Sequence, residues 1–139
     1  MRADRFVIHT DGGARGNPGP AAIGVVIHKN GKLFHHFGKT IGETTNNVAE
    51  YAAVIEAFRY LKSQNISQSS HFLFVLDSIL VVNQLNGLYK MKDAKLRELC
   101  FQVRQWEQEV GGESTYTSVP REQNREADFL VNQFLDNSQ

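Results

Sequence analysis

A chain of 139 residues with 41% apolar and 22% charged side chains is long enough for one domain with a buried core, and its composition excludes a disordered or fibrous protein. Its 15 basic residues balance its 15 acidic ones, which argues against a protein that coats DNA non-specifically. The one cysteine, Cys100, has no partner for an internal disulfide, and no stretch approaches the roughly 18 to 20 apolar residues that span a bilayer.

The first part of the chain predicts an antiparallel meander of three strands. Apolar runs favour strands over Phe6–Thr10 and Ala22–Ile27, and Leu33–Lys39 returns as the third strand. Between the second and third strands, Asn30-Gly31 is typical of a type I′ hairpin turn, because both central residues of that turn adopt positive φ.

The rest of the chain alternates helical and strand patterns. Helices are predicted over Val48–Leu61, Ser78–Leu85, Ala94–Val110 and Arg125–Leu135, and strands over Phe72–Leu76 and Thr115–Val119. The unbroken apolar run of Phe72–Leu76 indicates a strand buried on both faces, as in a partly parallel sheet. The order β-β-β-α-β-α-α-β-α predicts an α/β fold with a mixed five-stranded sheet flanked by helices.

A segment rich in glycine and proline follows the first strand. Its glycines are expected to permit positive φ and close approach of the backbone to a ligand; they are Gly12, Gly13, Gly16 and Gly19. The segment lacks the terminal GK[ST] of a phosphate-binding loop, and a strand rather than a helix follows it. A nucleotide-binding loop of that kind is therefore excluded.

Four acidic residues occupy the ends of predicted elements. Asp11 and Asp77 follow the first strand and the buried strand, and Glu50 and Asp128 lie near helix starts. Ligands gather beyond the carboxyl ends of parallel strands, so we expect the four to meet in one crevice. Carboxylates so close repel each other without a cation, and oxygen ligands favour Mg²⁺ or Mn²⁺. Two such ions, ~3.5 to 4 Å apart, activate water and stabilise a departing 3′-oxygen in phosphodiester hydrolysis.

Each carboxylate also has an ordinary structural explanation. Asp77 would cap the helix that follows it, Asp11 would open an Asx turn, Glu50 would close a capping box, and Asp128 would complement a helix dipole. Against the capping box, Glu50 shares a helical face with inward-pointing apolar residues, where a charge needs a partner or a metal. For the other three, taken singly, the alternatives stay open.

Four segments in combination resemble the type 1 ribonuclease H family. They are TDGGARGNPGPAAIG, TTNNVAEY, LDSILVVNQLNGLYKMK and VPREQNREADFLVN, and they occur in the family's order between Asp11 and Asn132. The resemblance implies a ribonuclease H-like fold and an endonuclease that hydrolyses the RNA strand of RNA–DNA hybrids with two metal ions, Mg²⁺ or alternatively Mn²⁺.

The same resemblance assigns residues to the site. It implies catalytic and metal-binding roles for Asp11, Glu50, Asp77 and Asp128. It implies substrate contacts from Asn17, Thr45, Asn46 and Asn47, and from the backbone of Gly12 and Gly13. Such contacts are chemically reasonable, because amides and backbone groups can read the 2′-hydroxyl that distinguishes RNA from DNA. For Asn46 and Asn47, simple capping of the helix is the alternative.

The chain departs from the family pattern at three places. Ile79 stands where many relatives carry a glutamine, so one polar substrate contact is missing. The loop before the last helix lacks the histidine of many relatives, and Arg121 or Glu122 is the candidate to replace it. The long basic protrusion of some relatives is absent, which leaves Lys90 and Lys92 either to grip the DNA strand or to form an ordinary solvated face.

Two other functions stay open at this point. One is a module that binds hybrids or double-stranded RNA without cutting, and the other is a nuclease of the same fold that acts on DNA ends or transposon junctions. The second is disfavoured because such enzymes usually carry further domains. We expect one ribonuclease H-like domain over residues 1–139, monomeric and cytoplasmic, with an RNA–DNA hybrid as its partner, double-stranded RNA as a second candidate, and no membrane contact.

Overall fold

The computed structural model describes residues 3–137, which form one sheet with helices on both of its faces. The elements in chain order are β1 (Arg5–Ala14), β2 (Gly19–Lys29), β3 (Lys32–Thr44), α1 (Asn46–Lys62), β4 (His71–Leu76), α2 (Ile79–Leu85), α3 (Ala94–Val110), β5 (Glu113–Ser118), a 3₁₀ turn (Arg121–Gln123) and α4 (Arg125–Asn137). No helix within residues 3–137 combines the length and the apolar character needed to cross a bilayer.

The five strands lie in the order β3-β2-β1-β4-β5, so β1 is central. The meander β1-β2-β3 is antiparallel, whereas β4 pairs in parallel with β1 and β5 in parallel with β4. The predicted mixed sheet is therefore confirmed. The last residues that β1 and β4 pair are His9 and Val75, and the same register continued by two residues places Asp11 beside Asp77.

Two apolar layers hold the helices against the sheet. On one face, α1 packs against the sheet and α3 packs against α1, around large side chains that are fully buried, among them Phe6, Phe58, Phe72 and Phe74. Burial of each such ring stabilises the fold by about 1.5–3 kcal/mol. On the other face, α4 packs Val131 and Leu135 against Ala22 of β2. A Cβ at Gly24 would lie 2.3 Å from the Ala127 carbonyl oxygen, so this glycine lets α4 approach the sheet.

The largest differences from the sequence-based boundaries are in β1 and β3. Strand β1 continues to Ala14 instead of ending at Thr10, because the residues after Thr10 pair with β2, Gly12 with Ile23 among them. Asp11 thus lies within a paired strand and not at the mouth of a loop, and the Asx-turn alternative is wrong. Strand β3 likewise runs to Thr44, since β2 remains beside it over that length.

The glycines after Asp11 serve different purposes from one another. Among the four glycines between Asp11 and Pro20, only Gly16 has a positive φ, at 98°, so the expectation of left-handed backbone is wrong for Gly12, Gly13 and Gly19. Gly19 is required by close contact, because a Cβ there would lie 2.1 Å from the Arg15 carbonyl oxygen. The segment is a tight connection between two strands rather than an open loop.

Candidate active site

Three acidic side chains from three elements meet beyond the paired part of β1 and β4. Asp11 comes from β1, Asp77 follows β4, and Glu50 comes from the first turns of α1. One carboxylate oxygen from each lies within 4.8 Å of the other two. Asp11 and Glu50 are only 5% and 6% exposed, so their charges are largely removed from water. The cluster therefore concentrates negative charge at a buried point.

Asp128 lies in the first turn of α4 and lines the same cleft as the other three carboxylates. Its negative charge contributes to the raised pKa of Asp11. Its helix-dipole explanation stays open, because a first-turn carboxylate favours a helix N-terminus in any case. The structure thus brings all four predicted carboxylates to one cleft, three of them to shared reach of one cation.

Close contact between β1 and α1 places Glu50. The Gly12 backbone N–H donates to Glu50 Oε1 at 2.5 Å. A Cβ at Gly12 would lie 2.1 Å from the Ala49 carbonyl oxygen, so the two backbones can meet only because residue 12 has no side chain. The helix is capped instead by Thr45, whose Oγ1 accepts from the Val48 N–H at 3.3 Å. The capping-box alternative for Glu50 is therefore wrong.

Asp77 is likewise not a helix cap. Ser78 is the N-cap of α2, and its Oγ accepts from the Val81 N–H at 3.2 Å. Asp77 Oδ2 is buried without a hydrogen-bond partner in the described part of the chain, and its nearest cation is Arg121, with Nε 3.9 Å away. A buried carboxylate oxygen without a donor is costly unless a ligand supplies positive charge.

The surroundings of these carboxylates disfavour their charged forms and raise their pKa values. Burial, followed by the charge of Asp77, raises the pKa of Asp11 from 3.8 to about 7. Burial and then the charges of Asp11 and Asp77 raise the pKa of Glu50 well above its ordinary value. Burial also raises the pKa of Asp77, although the Arg121 guanidinium partly lowers it. A donor set of oxygen atoms alone, crowded and short of positive charge, fits a hard divalent cation such as Mg²⁺ or Mn²⁺.

The carboxylates open onto a cleft of about 480 Å³. Of the residues expected to contact substrate, those that line the cleft are Gly12, Gly13, Asn46 and Asn47. Asn46 is held in place on both sides, because its Oδ1 accepts from the Ala14 N–H at 2.8 Å and its N–H donates to Asn17 Oδ1 at 2.9 Å. Asn17 and Thr45 do not line the cleft, and the contacts they make here support the start of α1.

The auxiliary residues predicted from the sequence lie at different places on the protein surface. Arg121 lines the cleft beside Asp77. Glu122, its neighbour, lines a different cleft with His9 and His28 among others. The two lysines of the segment between α2 and α3 are exposed and lie outside the lining of the main cleft; they are Lys90 and Lys92. Of the two candidates to replace the missing loop histidine, only Arg121 reaches the cleft.

Sequence reasoning missed Asn124, which precedes α4 directly. Asn124 is 1% exposed, and its Nδ2 donates to the Thr10 carbonyl oxygen at 2.9 Å. The same amide lies close enough to Asp77 to lower the pKa of that carboxylate, because a nearby N–H favours its charged form. An asparagine directly before a helix is a common cap, so the sequence offers no signal that this one bonds to the strand that carries Asp11.

Known proteins share this fold over nearly the whole chain. A family model described as reverse transcriptase-like matches residues 9–134. Ribonuclease HI of Halobacterium salinarum is 38% identical over 139 residues, which cover 99% of this chain and 67% of that protein. The bifunctional protein Rv2228c of Mycobacterium tuberculosis is 34% identical over 134 residues, covering 95% of this chain but 36% of that protein. The chain thus spans about a third of the mycobacterial relative.

Solved structures of ribonucleases H also resemble this chain. The crystal structure of RNase H1 from Halobacterium salinarum has a TM-score of 0.89 and 36% identity, and the match covers 96% of this chain and 98% of that one. LC11-RNase H1, solved in complex with an RNA/DNA hybrid, has a TM-score of 0.88 and 40% identity, with coverage of 96% and 98%. The N-terminal RNase H domain of the mycobacterial protein also has a TM-score of 0.88, at 34% identity, with coverage of 97% and 96%.

Proposed function

We propose that this chain, which belongs to the type 1 ribonuclease H family, hydrolyses the RNA strand of RNA–DNA hybrids. The observation that carries the proposal is the cluster of Asp11, Glu50 and Asp77, whose oxygens lie within 4.8 Å of one another at an open cleft. A protein 40% identical to this chain has been solved with an RNA/DNA hybrid bound, which supports the same substrate here.

The finer proposal is that Asp11, Glu50, Asp77 and Asp128 hold two divalent ions, Mg²⁺ or alternatively Mn²⁺. The raised pKa values of Asp11 and Glu50 and the unpartnered oxygen of Asp77 support it, because each indicates a missing positive charge. When bound, such ions supply an activated water and stabilise the departing 3′-oxygen.

The residues of the chain provide rigid ligands and a surface for the substrate. Asp11 is fixed by strand pairing and Glu50 by the Gly12 N–H, so little reorganisation is needed when charge develops during the reaction. Asn47 and Gly13 line the cleft, where the amide of Asn47 and the backbone of Gly13 would bind a 2′-hydroxyl as donor and acceptor. The Arg121 guanidinium would bind a phosphate oxygen.

We also propose the domain organisation, the oligomeric state, the location and the remaining substrate contacts of this chain. Residues 1–139 would act as one ribonuclease H-like domain, as a monomer, in the cytoplasm. Asn17, Thr45 and Asn46 would contribute to substrate binding by fixing the start of α1. Lys90 and Lys92 would contact the DNA strand through its phosphates, which position a duplex without reading its bases.

The direct test is cleavage of a hybrid whose RNA strand carries a 5′ label, with Mg²⁺ and with Mn²⁺. We expect RNA fragments that end in 3′-hydroxyls, and none when the metal is chelated. Matched substrates of the same sequence are a DNA duplex, single-stranded RNA and double-stranded RNA. Intact RNA together with a clear gel shift would favour the module that binds without cutting. Cleavage of the DNA duplex would favour the other class of nuclease.

A further inference from the structure

A buried asparagine joins α4 to the centre of the sheet. Asn124 Nδ2 donates to the Thr10 carbonyl oxygen at 2.9 Å, and its Oδ1 lies 2.9 Å from Nδ1 of His9. Its main-chain carbonyl accepts from the Asp128 N–H at 3.1 Å. One residue therefore contacts the strand immediately before Asp11 and begins the helical turn that carries Asp128.

The hydrogen-bonding groups fix the direction of each bond. The Thr10 carbonyl can only accept, so the amide nitrogen of Asn124 faces it and the amide oxygen faces His9. That oxygen also can only accept, so His9 Nδ1 carries a proton and donates to it. Within residues 3–137 the structure provides no other donor to Asn124 Oδ1. Without His9, a nearly buried acceptor would lose its partner.

We propose that His9 is a positioning residue, which holds Asn124 and thereby fixes Asp128 and the start of α4 relative to Asp11. The proposal rests on the proposed nuclease function for its effect on turnover, but the effect on metal binding is independent of the substrate. His9 itself does not line the main cleft; it lines the separate cleft that contains Glu122, so it acts only through Asn124.

Three variants test the role of the His9 donor. His9→Leu removes the donor and keeps an apolar body on the strand. His9→Asn restores an N–H at the same number of bonds from the backbone, since Nδ2 of asparagine corresponds to Nδ1 of histidine. His28→Leu is the matched control, because His28 lies on the neighbouring strand and lines the same outer cleft, and its side chain makes no hydrogen bond within the described residues.

The measurements are kcat and KM on an RNA–DNA hybrid at saturating Mg²⁺, the calorimetric affinity for Mn²⁺ without substrate, and unfolding in urea. For His9→Leu we expect kcat and Mn²⁺ affinity to fall about three- to tenfold, which corresponds to the loss of one neutral hydrogen bond. We expect its KM to stay within about twofold of the wild-type value. His9→Asn should recover both within about twofold, and His28→Leu should change neither.

Two results would overturn the proposal. In the first, His9→Leu has the kcat and the Mn²⁺ affinity of the wild type. In the second, His9→Leu and His9→Asn lose kcat and Mn²⁺ affinity equally, in proportion to a loss of stability. If His9→Leu does not fold, His9→Phe, which keeps a ring but no donor, takes its place with the same expectation. If the wild-type protein fails to cleave any hybrid, the proposed function is wrong, and the Mn²⁺ affinities of the variants still decide the role of His9.

Discussion

The backbone N–H of Gly12 donates a 2.5 Å hydrogen bond to the carboxylate of Glu50, across the junction of β1 and α1. The two backbones come close enough for this bond because residue 12 has no Cβ. In any other residue the Cβ would lie 2.1 Å from the Ala49 carbonyl oxygen. A glycine in the central strand therefore determines how near a helical carboxylate comes to Asp11 and Asp77. The proposed metal site depends on this backbone contact as much as on the acidic residues.

Substitution of Gly12 by alanine tests that contact. Because the added Cβ would meet helix backbone rather than a movable side chain, we expect Gly12→Ala to lower the free energy of unfolding by about 1–3 kcal/mol. It should also weaken Mn²⁺ binding, because α1 must move and carry Glu50 away from Asp11. Urea denaturation and calorimetry measure the two effects.

Gly13→Ala is the matched control for this variant. Its Cβ would lie 3.6 Å from Val131 Cγ1, an ordinary van der Waals contact, and the backbone of Gly13 has no positive φ. We therefore expect its stability to stay within about 0.5 kcal/mol of wild type. Equal effects of the two alanines would contradict the steric argument.

The raised carboxylate pKa values predict an unusual dependence of stability on pH in the metal-free protein. Asp11 releases its proton near pH 3.8 when the chain is unfolded but only near pH 7 when it is folded. Between these values the folded state binds more protons, so the free energy of unfolding falls as pH rises. The loss by pH 8 should be on the order of 2–4 kcal/mol relative to pH 4, measured by urea denaturation with a chelator present.

Two additions to that experiment identify the cause. Asp11→Asn should flatten the decline, because the titrating group and its charge are gone. Mg²⁺ or Mn²⁺ should stabilise the wild-type protein more at pH 8 than at pH 5, since the ions bind the charged carboxylates of the folded state. An equally steep decline in Asp11→Asn would show that these carboxylates do not produce it.

Arg121 and Glu122 offer a test of the substrate surface, because adjacent residues lie in different clefts. We expect Arg121→Ala to raise KM for the hybrid and to reduce the dependence of binding on salt, because one phosphate contact is lost. Its free energy of unfolding should change by less than about 0.5 kcal/mol, as is usual for an exposed ion pair. The measurement is steady-state cleavage of a labelled hybrid at several salt concentrations.

Glu122→Ala serves as the control for Arg121→Ala. It removes an exposed charge at the next position of the same turn, outside the main cleft. Its KM should therefore equal or fall slightly below that of the wild type. A larger effect from Glu122→Ala than from Arg121→Ala would place the substrate on the other cleft.

Much of this architecture could be predicted from the sequence, because hydrophobic periodicity reports which face of an element is buried. Every predicted helix and strand is present, and the resemblance to the type 1 ribonuclease H family, with its class of enzyme, is confirmed. The convergence of Asp11 and Asp77 was expected from their positions after two strands of a partly parallel sheet, and the parallel register of β1 and β4 agrees with it.

What could not be predicted depends on contacts between residues distant in the chain. The extension of β1 through Gly12 follows from its pairing with β2, whereas glycine on its own disfavours a strand. The steric need for Gly12 arises from Ala49, 37 positions later in the chain. The role of Asn124 likewise appears only when α4 is packed against Thr10. The hydrophobic pattern of a single segment does not show which distant residue it will contact.

Asp11 is proposed to hold a divalent ion at the site where RNA is cleaved. The most direct measurement is Mg²⁺-dependent cleavage of the labelled RNA in a hybrid by Asp11→Asn, with Asp136→Asn as a control at an exposed carboxylate of α4. We predict that Asp11→Asn folds with at least wild-type stability at pH 8, because one buried charge is removed, and loses cleavage by about a hundredfold or more. Asp136→Asn should cleave normally. Cleavage by folded Asp11→Asn at the wild-type rate would show that Asp11 is not needed for the reaction.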